Sequence, residues 1–337
     1  MPQYDVYAMG HAVVDYNYDA PINNLTLLGV QPGVMNLISP RQTKELLVYL
    51  GKHQGAKELG GSAANTMTAL AHLGGRGFHS CKVANDLNGK AYAKGLTKIG
   101  LATNLNLQPL ATGTTGECII FATPDGYHTM AGHLGISQQY STNEIIENAL
   151  INSTFLFVEG YLMHPQNSQK AVIKAIELAK KNHVKVALSF SDLSIVKAYK
   201  QPLVQLLKNS VDILFCNKDE ALEFCNTANP HIANSTLTDY AKKYIITLGK
   251  DGALLYDGKN YHHIPAYNTT TIVNTVGAGD TFAGAFLFGL TQGKNFVESG
   301  KLASLAASKV IAKRAPRINK KDASTIIAAW LSLHSPA

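Results

Sequence analysis

From about residue 154 onward, short runs of β-branched and aromatic residues alternate with longer stretches of helical periodicity, and this alternation limits the fold more than any other feature of the chain. TFLFVEG (154–160) precedes an amphipathic stretch at 166–181, VKVALSF (184–190) precedes 202–208, and DILFCN (212–217) precedes 218–225. YIITLG (244–249) leads into GALLYDG (252–258), a hairpin-like pair. Strands separated by helices build βαβ units and a parallel sheet covered on both faces. YDVYAMG (4–10) adds a strand that runs on into HAVVDY (11–16), and helices are expected at 41–52, 62–73, 87–99, 280–292, 296–313 and 321–333. Two stretches break the pattern: 16–38 is polar and turn-rich, and 108–136 reads as two short strands around a PDG turn at 124–126. The expectation is one domain over 1–337. It is a doubly wound, mostly parallel α/β sheet with helices on both faces, and 16–38 and 108–136 form a small β lid.

Composition closes off other classes. Of 337 residues, 46% are hydrophobic and 16% charged, the reverse of what disorder requires. The longest apolar stretch, 282–290, is nine residues, well short of the roughly 18–20 that span a bilayer. The start, MPQYDVYAMG, has no basic n-region and does not read as a signal peptide, so a soluble cytoplasmic protein with no membrane partner is expected. The four cysteines form no Cys-x-x-Cys pair and read as free small hydrophobes in a reducing compartment. No histidines or cysteines have zinc spacing, and His262 and His263 point to opposite faces of a strand. The net charge of +7 is spread along the chain except at Lys309 to Lys321, which has six basic residues and no acid. Without interleaved aromatics this segment reads as a solvated helix end, not a nucleic-acid site. A modest positive field also suits a polyanionic substrate.

Five segments carry candidate chemistry. In NTVGAGDTFAG (274–284), Gly277, Ala278 and Gly279 follow a β-branched run and open a helix, so their N–H groups make an anion site at a helix N-terminus. Asp280 follows in the first turn, where a carboxylate beside a phosphate cradle is costly unless it accepts a proton from an attacking hydroxyl. A tight turn with an Asp N-cap is the structural alternative. The segment is neither a dinucleotide fingerprint, since Phe282 stands where a third small residue belongs, nor a Walker loop, since no Gly-Lys-Ser/Thr follows. GGSAANT (60–66) admits a polar ligand at a helix entrance near Gly61, with Asn65 as donor and acceptor, or packs helix on strand with Ser62 as the cap. NKDE (217–220) is either a capping box or, through Asn217 and Glu220, the organiser of a hydrated Mg²⁺. In TLGKDG (247–252), Thr247, Gly249 and Gly252 line nucleotide phosphates or build a turn. Asp15 ends an early strand in an apolar run and needs a partner, for which a sugar hydroxyl would serve.

Together and in this order, the segments resemble the PfkB, or ribokinase-like, family of carbohydrate and nucleoside kinases over about residues 4–318, and the flanking sequence is similar to its bacterial adenosine-kinase-like branch. The resemblance implies that Asp280 activates the acceptor hydroxyl and that Gly277, Ala278 and Gly279 form the anion hole for γ-phosphoryl transfer. It implies that Asp15, Gly61 and Asn65 bind the acceptor, that Asn217 and Glu220 organise Mg²⁺ through water, and that Thr247, Gly249 and Gly252 contact ATP. A lid closing on the acceptor would exclude water. Two positions depart from the pattern. Asn274 stands where an Asp often helps hold a monovalent cation, which puts potassium activation in doubt. Glu159 resembles a sugar-contacting residue of ribokinase-type members, where adenosine kinases usually have a small one. The expected activity is ATP-dependent phosphorylation of a ribose-containing acceptor, adenosine first, by a monomer or homodimer. A sugar kinase acting on ribose, fructose or a keto-deoxy sugar acid is the alternative, ahead of a non-catalytic binding protein and a dinucleotide oxidoreductase.

Overall fold

Along the strand Tyr4–Met9, Val6 and Ala8 join one hydrophobic layer while Tyr7 and Met9 join another. The strand Ser153–Glu159 divides likewise, Phe155 and Phe157 against Leu156 and Val158. Side chains alternate faces with period two, so strands buried on both sides require a layer of helices on each face. The computed structural model describes residues 2–19, 25–26, 29–32, 35–51, 57–122, 128–267, 269 and 271–332 and shows that arrangement. One layer is built on helices that include Ser62–His72, Ala278–Thr291 and Phe296–Ile311. The other is built on helices that include Gln166–Lys181 and Leu193–Asn209.

The nine-stranded sheet runs, edge to edge, Tyr261–Ile264, Ala253–Tyr256, Tyr244–Thr247, Ile213–Asn217, Lys185–Ser189, Ser153–Glu159, Tyr4–Met9, Gly77–Ser80 and Ala102–Thr103. Every pairing is parallel except the two that attach Ala253–Tyr256 and Tyr261–Ile264. This is the doubly wound α/β sheet expected from the alternation. From Tyr4–Met9 the chain winds first toward Ala102–Thr103, then resumes on the other side at Ser153–Glu159. The strand order therefore reverses between Tyr4–Met9 and Ser153–Glu159, and ligands of open α/β sheets bind outside the carboxyl ends of strands at such a point.

A second sheet has five strands in the order Met35–Leu37, His128–Gly135, Thr115–Ala122, Val13–Asp19 and Lys57–Gly60. It differs from the expected lid in two ways. HAVVDY does not extend the first strand: Gly10 to Ala12 separate Tyr4–Met9 from Val13–Asp19, and the two pair in different sheets. Lys57–Gly60, which lacks an apolar run, is a strand because it pairs antiparallel with Val13–Asp19, placing Glu58 opposite Asp15. The PDG turn at 124–126 and parts of 16–38 lie outside the described residues. The helix expected at 202–208 is the second half of Leu193–Asn209, whose backbone leaves helical geometry at Tyr199 ahead of Pro202, as the lost proline N–H requires. All four cysteines are free, and three are buried. Among the described residues, no helix is long and apolar enough to cross a membrane.

Candidate active site

The carboxyl ends of the parallel strands open on a cavity of about 480 Å³. Glu159, Ser189, Asn217 and Thr247, each the last residue of its strand, line one wall together with His11. The second sheet supplies the facing wall through Asp15, Met35, Ile120 and Met130. The cavity thus sits at the reversal of strand order and between the two sheets.

Gly277 is the N-cap of Ala278–Thr291, with φ +75°, and a Cβ there would overlap the Pro316 carbonyl oxygen. Asp280 occupies the first turn of this helix, three residues inside the cap, so it is not the N-cap that the turn alternative required. Its carboxylate lines the cavity. Ser62 Oγ donates to Asp280 Oδ1 at 2.6 Å, and Asn65 Nδ2 donates to Oδ2 at 2.8 Å. Both donors ride on Ser62–His72, which packs against the Asp280 helix so closely that a Cβ on Gly284 would overlap the Thr66 carbonyl oxygen. The last glycine of the 274–284 motif therefore sets the distance between the two helices. Burial raises the Asp280 pKa from its ordinary value, opposed by the Ser62 and Asn65 hydrogen bonds and by the Arg317 guanidinium.

Arg317 was hidden in the segment expected to be a solvated helix end. Lys320 and Lys321 are exposed as that reading requires, but Arg317 turns inward, and its Nε donates to Asn65 Oδ1 at 2.6 Å. The segment is not a continuous helix: Phe296–Ile311 ends within it, and the next helix starts at Lys320. In the intervening loop, Pro316 abuts Gly277, and the Arg314 carbonyl accepts from Asn274 Nδ2 at 2.6 Å. The break at Pro316 was the only local signal that this stretch has a different job. Ser62 was read as a possible cap; Gly61 takes that position, freeing the Ser62 hydroxyl for Asp280.

The other candidates divide. Asp15, Gly61, Asn65, Glu159, Asn217, Glu220, Thr247, Gly277 and Gly279 join Asp280 around the cavity. Burial pushes the Asp15 carboxyl up to about 7, with Arg317 opposing and Glu58 and Asp280 adding to the rise. Glu159 is fully buried, and its two oxygens accept from the His11 N–H at 2.6 Å and the Ala63 N–H at 2.8 Å. It ties the end of the first strand to the start of the Ser62–His72 helix, and burial raises it to about 8 against those two donors. Asn217 and Glu220 form a full capping box on Lys218–Phe224: Asn217 Oδ1 accepts from the Glu220 N–H, and the Glu220 carboxylate accepts from the Asn217 N–H and Nδ2. Burial pushes Glu220 up to about 7. Ala278 begins its helix beside the lining, and Gly249 and Gly252 sit in the turn between Tyr244–Thr247 and Ala253–Tyr256, outside the lining.

A family model described as pfkB family carbohydrate kinase matches residues 42–323. Among curated relatives, the 5-dehydro-2-deoxygluconokinase of Listeria innocua serovar 6a is 29% identical over 275 residues, covering 77% of this chain and 82% of that protein. Among solved structures, a probable sugar kinase protein from Rhizobium etli CFN 42 superposes with a TM-score of 0.92 at 28% identity, covering 98% of this chain and 100% of that one. The adenosine kinase from Sinorhizobium meliloti gives a TM-score of 0.91 at 31% identity, covering 97% of this chain and 99% of that one. With a glycine-capped helix, an aspartate in its first turn and a family match over most of its length, this chain belongs to the pfkB family of carbohydrate kinases and is a phosphotransferase.

Proposed function

We propose that the chain moves the γ-phosphoryl group of ATP to a primary hydroxyl of its acceptor, with Asp280 as the general base. The carrying observation is the Asp280 carboxylate on the cavity wall, held by Ser62 and Asn65 at the N-terminal turn of a glycine-capped helix. In this reading the N–H groups of Gly277, Ala278 and Gly279 stabilise the charge that builds on the transferring group. Asp15, Gly61 and Asn65 bind acceptor hydroxyls. Asn217 and Glu220 order the water shell of a Mg²⁺; with both Glu220 oxygens already on Asn217, this donor set fits a hydrated ion arriving with the nucleotide. Thr247 stands at the nucleotide end of the cavity, and Gly249 and Gly252 shape the turn beyond it. Asp280→Asn should lower kcat by about 10²–10⁴ with the circular dichroism spectrum unchanged. A loss below tenfold would remove Asp280 from the role.

For the acceptor, the cavity supports a neutral molecule with a flat apolar part, a nucleoside. Met35, Leu37, Ile120, Met130 and Leu134 form an apolar patch, and Asp15 and Glu117 are the acids beside it. Glu159, with both oxygens on backbone N–H groups, is a bystander here. The curated relatives point the other way, to a keto-deoxy sugar acid, and adenosine is the acceptor their names support less. ADP release with Mg·ATP, measured against adenosine, inosine, ribose, fructose and 5-dehydro-2-deoxygluconate, separates the two. Turnover confined to nucleosides upholds the first reading, and turnover on the sugar acid replaces it with the second.

A further inference from the structure

Asn65 stands between two groups of opposite hydrogen-bonding character. A guanidinium only donates and an ionised carboxylate only accepts. Arg317 Nε on one side at 2.6 Å and Asp280 Oδ2 on the other at 2.8 Å therefore allow one orientation of the amide. Its oxygen must face the arginine, and its NH₂ must face the aspartate. Burial is what opposes the charge on Asp280, and that charge in turn raises the pKa values of Asp15, Glu159, Glu220 and Tyr161. The Arg317 guanidinium opposes the burial-driven rise at Asp280, and likewise at Asp15 and at Glu58. It holds its charge although burial pulls its pKa down, sustained by Tyr92, Asp15, Glu58 and Asp280. Its Nη2 is buried without a hydrogen-bond partner among the described residues, a cost that a purely space-filling residue would not carry.

We infer that Arg317 is a positioning residue: it fixes the Asn65 amide so that Asn65 and Ser62 together hold the Asp280 carboxylate ionised and aimed into the cavity. The inference rests on the reading of Asp280 as the base. The loop that carries Arg317 also presses Pro316 against Gly277, so one segment supports both the base and the anion hole.

The test follows Asp280 directly and does not depend on finding the acceptor. In protein labelled with [¹³C]aspartate, the carboxyl signal missing from Asp280→Asn is titrated in the unaltered protein, in Arg317→Gln and in Arg317→Lys. The expected result is a midpoint at least about half a unit higher in Arg317→Gln, in the direction that loss of a nearby opposite charge dictates, and largely restored in Arg317→Lys. With an acceptor in hand, kcat of Arg317→Gln should fall about threefold or more on the acid side of its pH profile and recover toward alkaline pH as Asp280 ionises. An unmoved Asp280 midpoint, or a loss of kcat uniform across pH, would overturn the inference. If Arg317→Gln does not fold, Arg317→Met, which keeps side-chain bulk without the charge, takes its place: an Asp280 midpoint raised by at least about half a unit upholds the inference, and an unmoved one refutes it. Failure of the base reading looks different, since Asp280→Asn would then leave turnover intact while the midpoint still moved with Arg317.

Discussion

Gly277 holds a left-handed conformation, and the Pro316 carbonyl occupies the space where a side chain would begin. Gly277→Ala should therefore cost about 1–3 kcal/mol, the range for a strained backbone position, read as a lower urea midpoint. If the N–H groups of the turn hold the transferring phosphate as proposed, the substitution should also reduce kcat by rotating them away. An alanine variant with unchanged stability would show that the turn relaxes freely. Gly277, Gly279 and Asp280, which all line the cavity, are legible in the sequence because they lie together in one turn, where they mark a candidate anion site. Arg317 was not legible for the opposite reason. Its partner lies 252 positions away, it sits in a stretch of six basic residues, and although Pro316 breaks the helix, nothing in RAPRINK tells whether Arg314 or Arg317 turns inward.

Among elements, the helix Lys218–Phe224 is seven residues long, too short to persist without its cap and its packing. Asn217→Ala removes the side-chain half of the capping box and should lower stability by about 0.5–2 kcal/mol, measured by denaturant titration. If Asn217 also orders the Mg²⁺ shell, the same variant will need more Mg²⁺ for half-maximal rate; an unchanged requirement would leave it a structural cap alone. Six strands of the large sheet were readable because each is a largely apolar run, whereas Gly77–Ser80, half of it His79 and Ser80, and the two-residue Ala102–Thr103 were not. The second sheet was only half readable. Val13–Asp19 continues the apolar character of Tyr4–Met9 without a turn signal strong enough to mark the change of sheet. Lys57–Gly60 is a strand only by virtue of its neighbour, and pairing with a distant segment leaves no period in four residues.

Over the whole molecule, the buried carboxyls give stability a distinctive pH dependence. Glu159 is raised to about 8 and Asp15 and Glu220 to about 7, so each keeps its proton longer in the folded than in the unfolded chain. Between roughly pH 6.5 and 8 the unfolded chain has already released these protons, and stability falls as pH rises. His79, pushed down to about 3 by burial, contributes with the opposite sign, but that contribution levels off by about pH 7.5, a unit above the ordinary histidine value, and is outweighed by the three carboxyls. The melting temperature of the ligand-free protein should thus decline from pH 6.5 to 8. Glu159→Gln should start lower, because an NH₂ would face one of the two backbone donors, and should decline less steeply. An equal slope in the two proteins would refute the assignment to Glu159.

The bonds that hold Asp280 and Asn65 span 218, 215 and 252 positions of the chain. On the ribosome the segment with Ser62 and Asn65 is made early and waits, while the aspartate and then the arginine are added near the end. A nascent chain halted ahead of residue 317 would own the glycine turn and both donors to its aspartate, but not the arginine that orients one of them. The order of synthesis itself thus adds the arginine that faces Asn65 only when the chain is nearly finished.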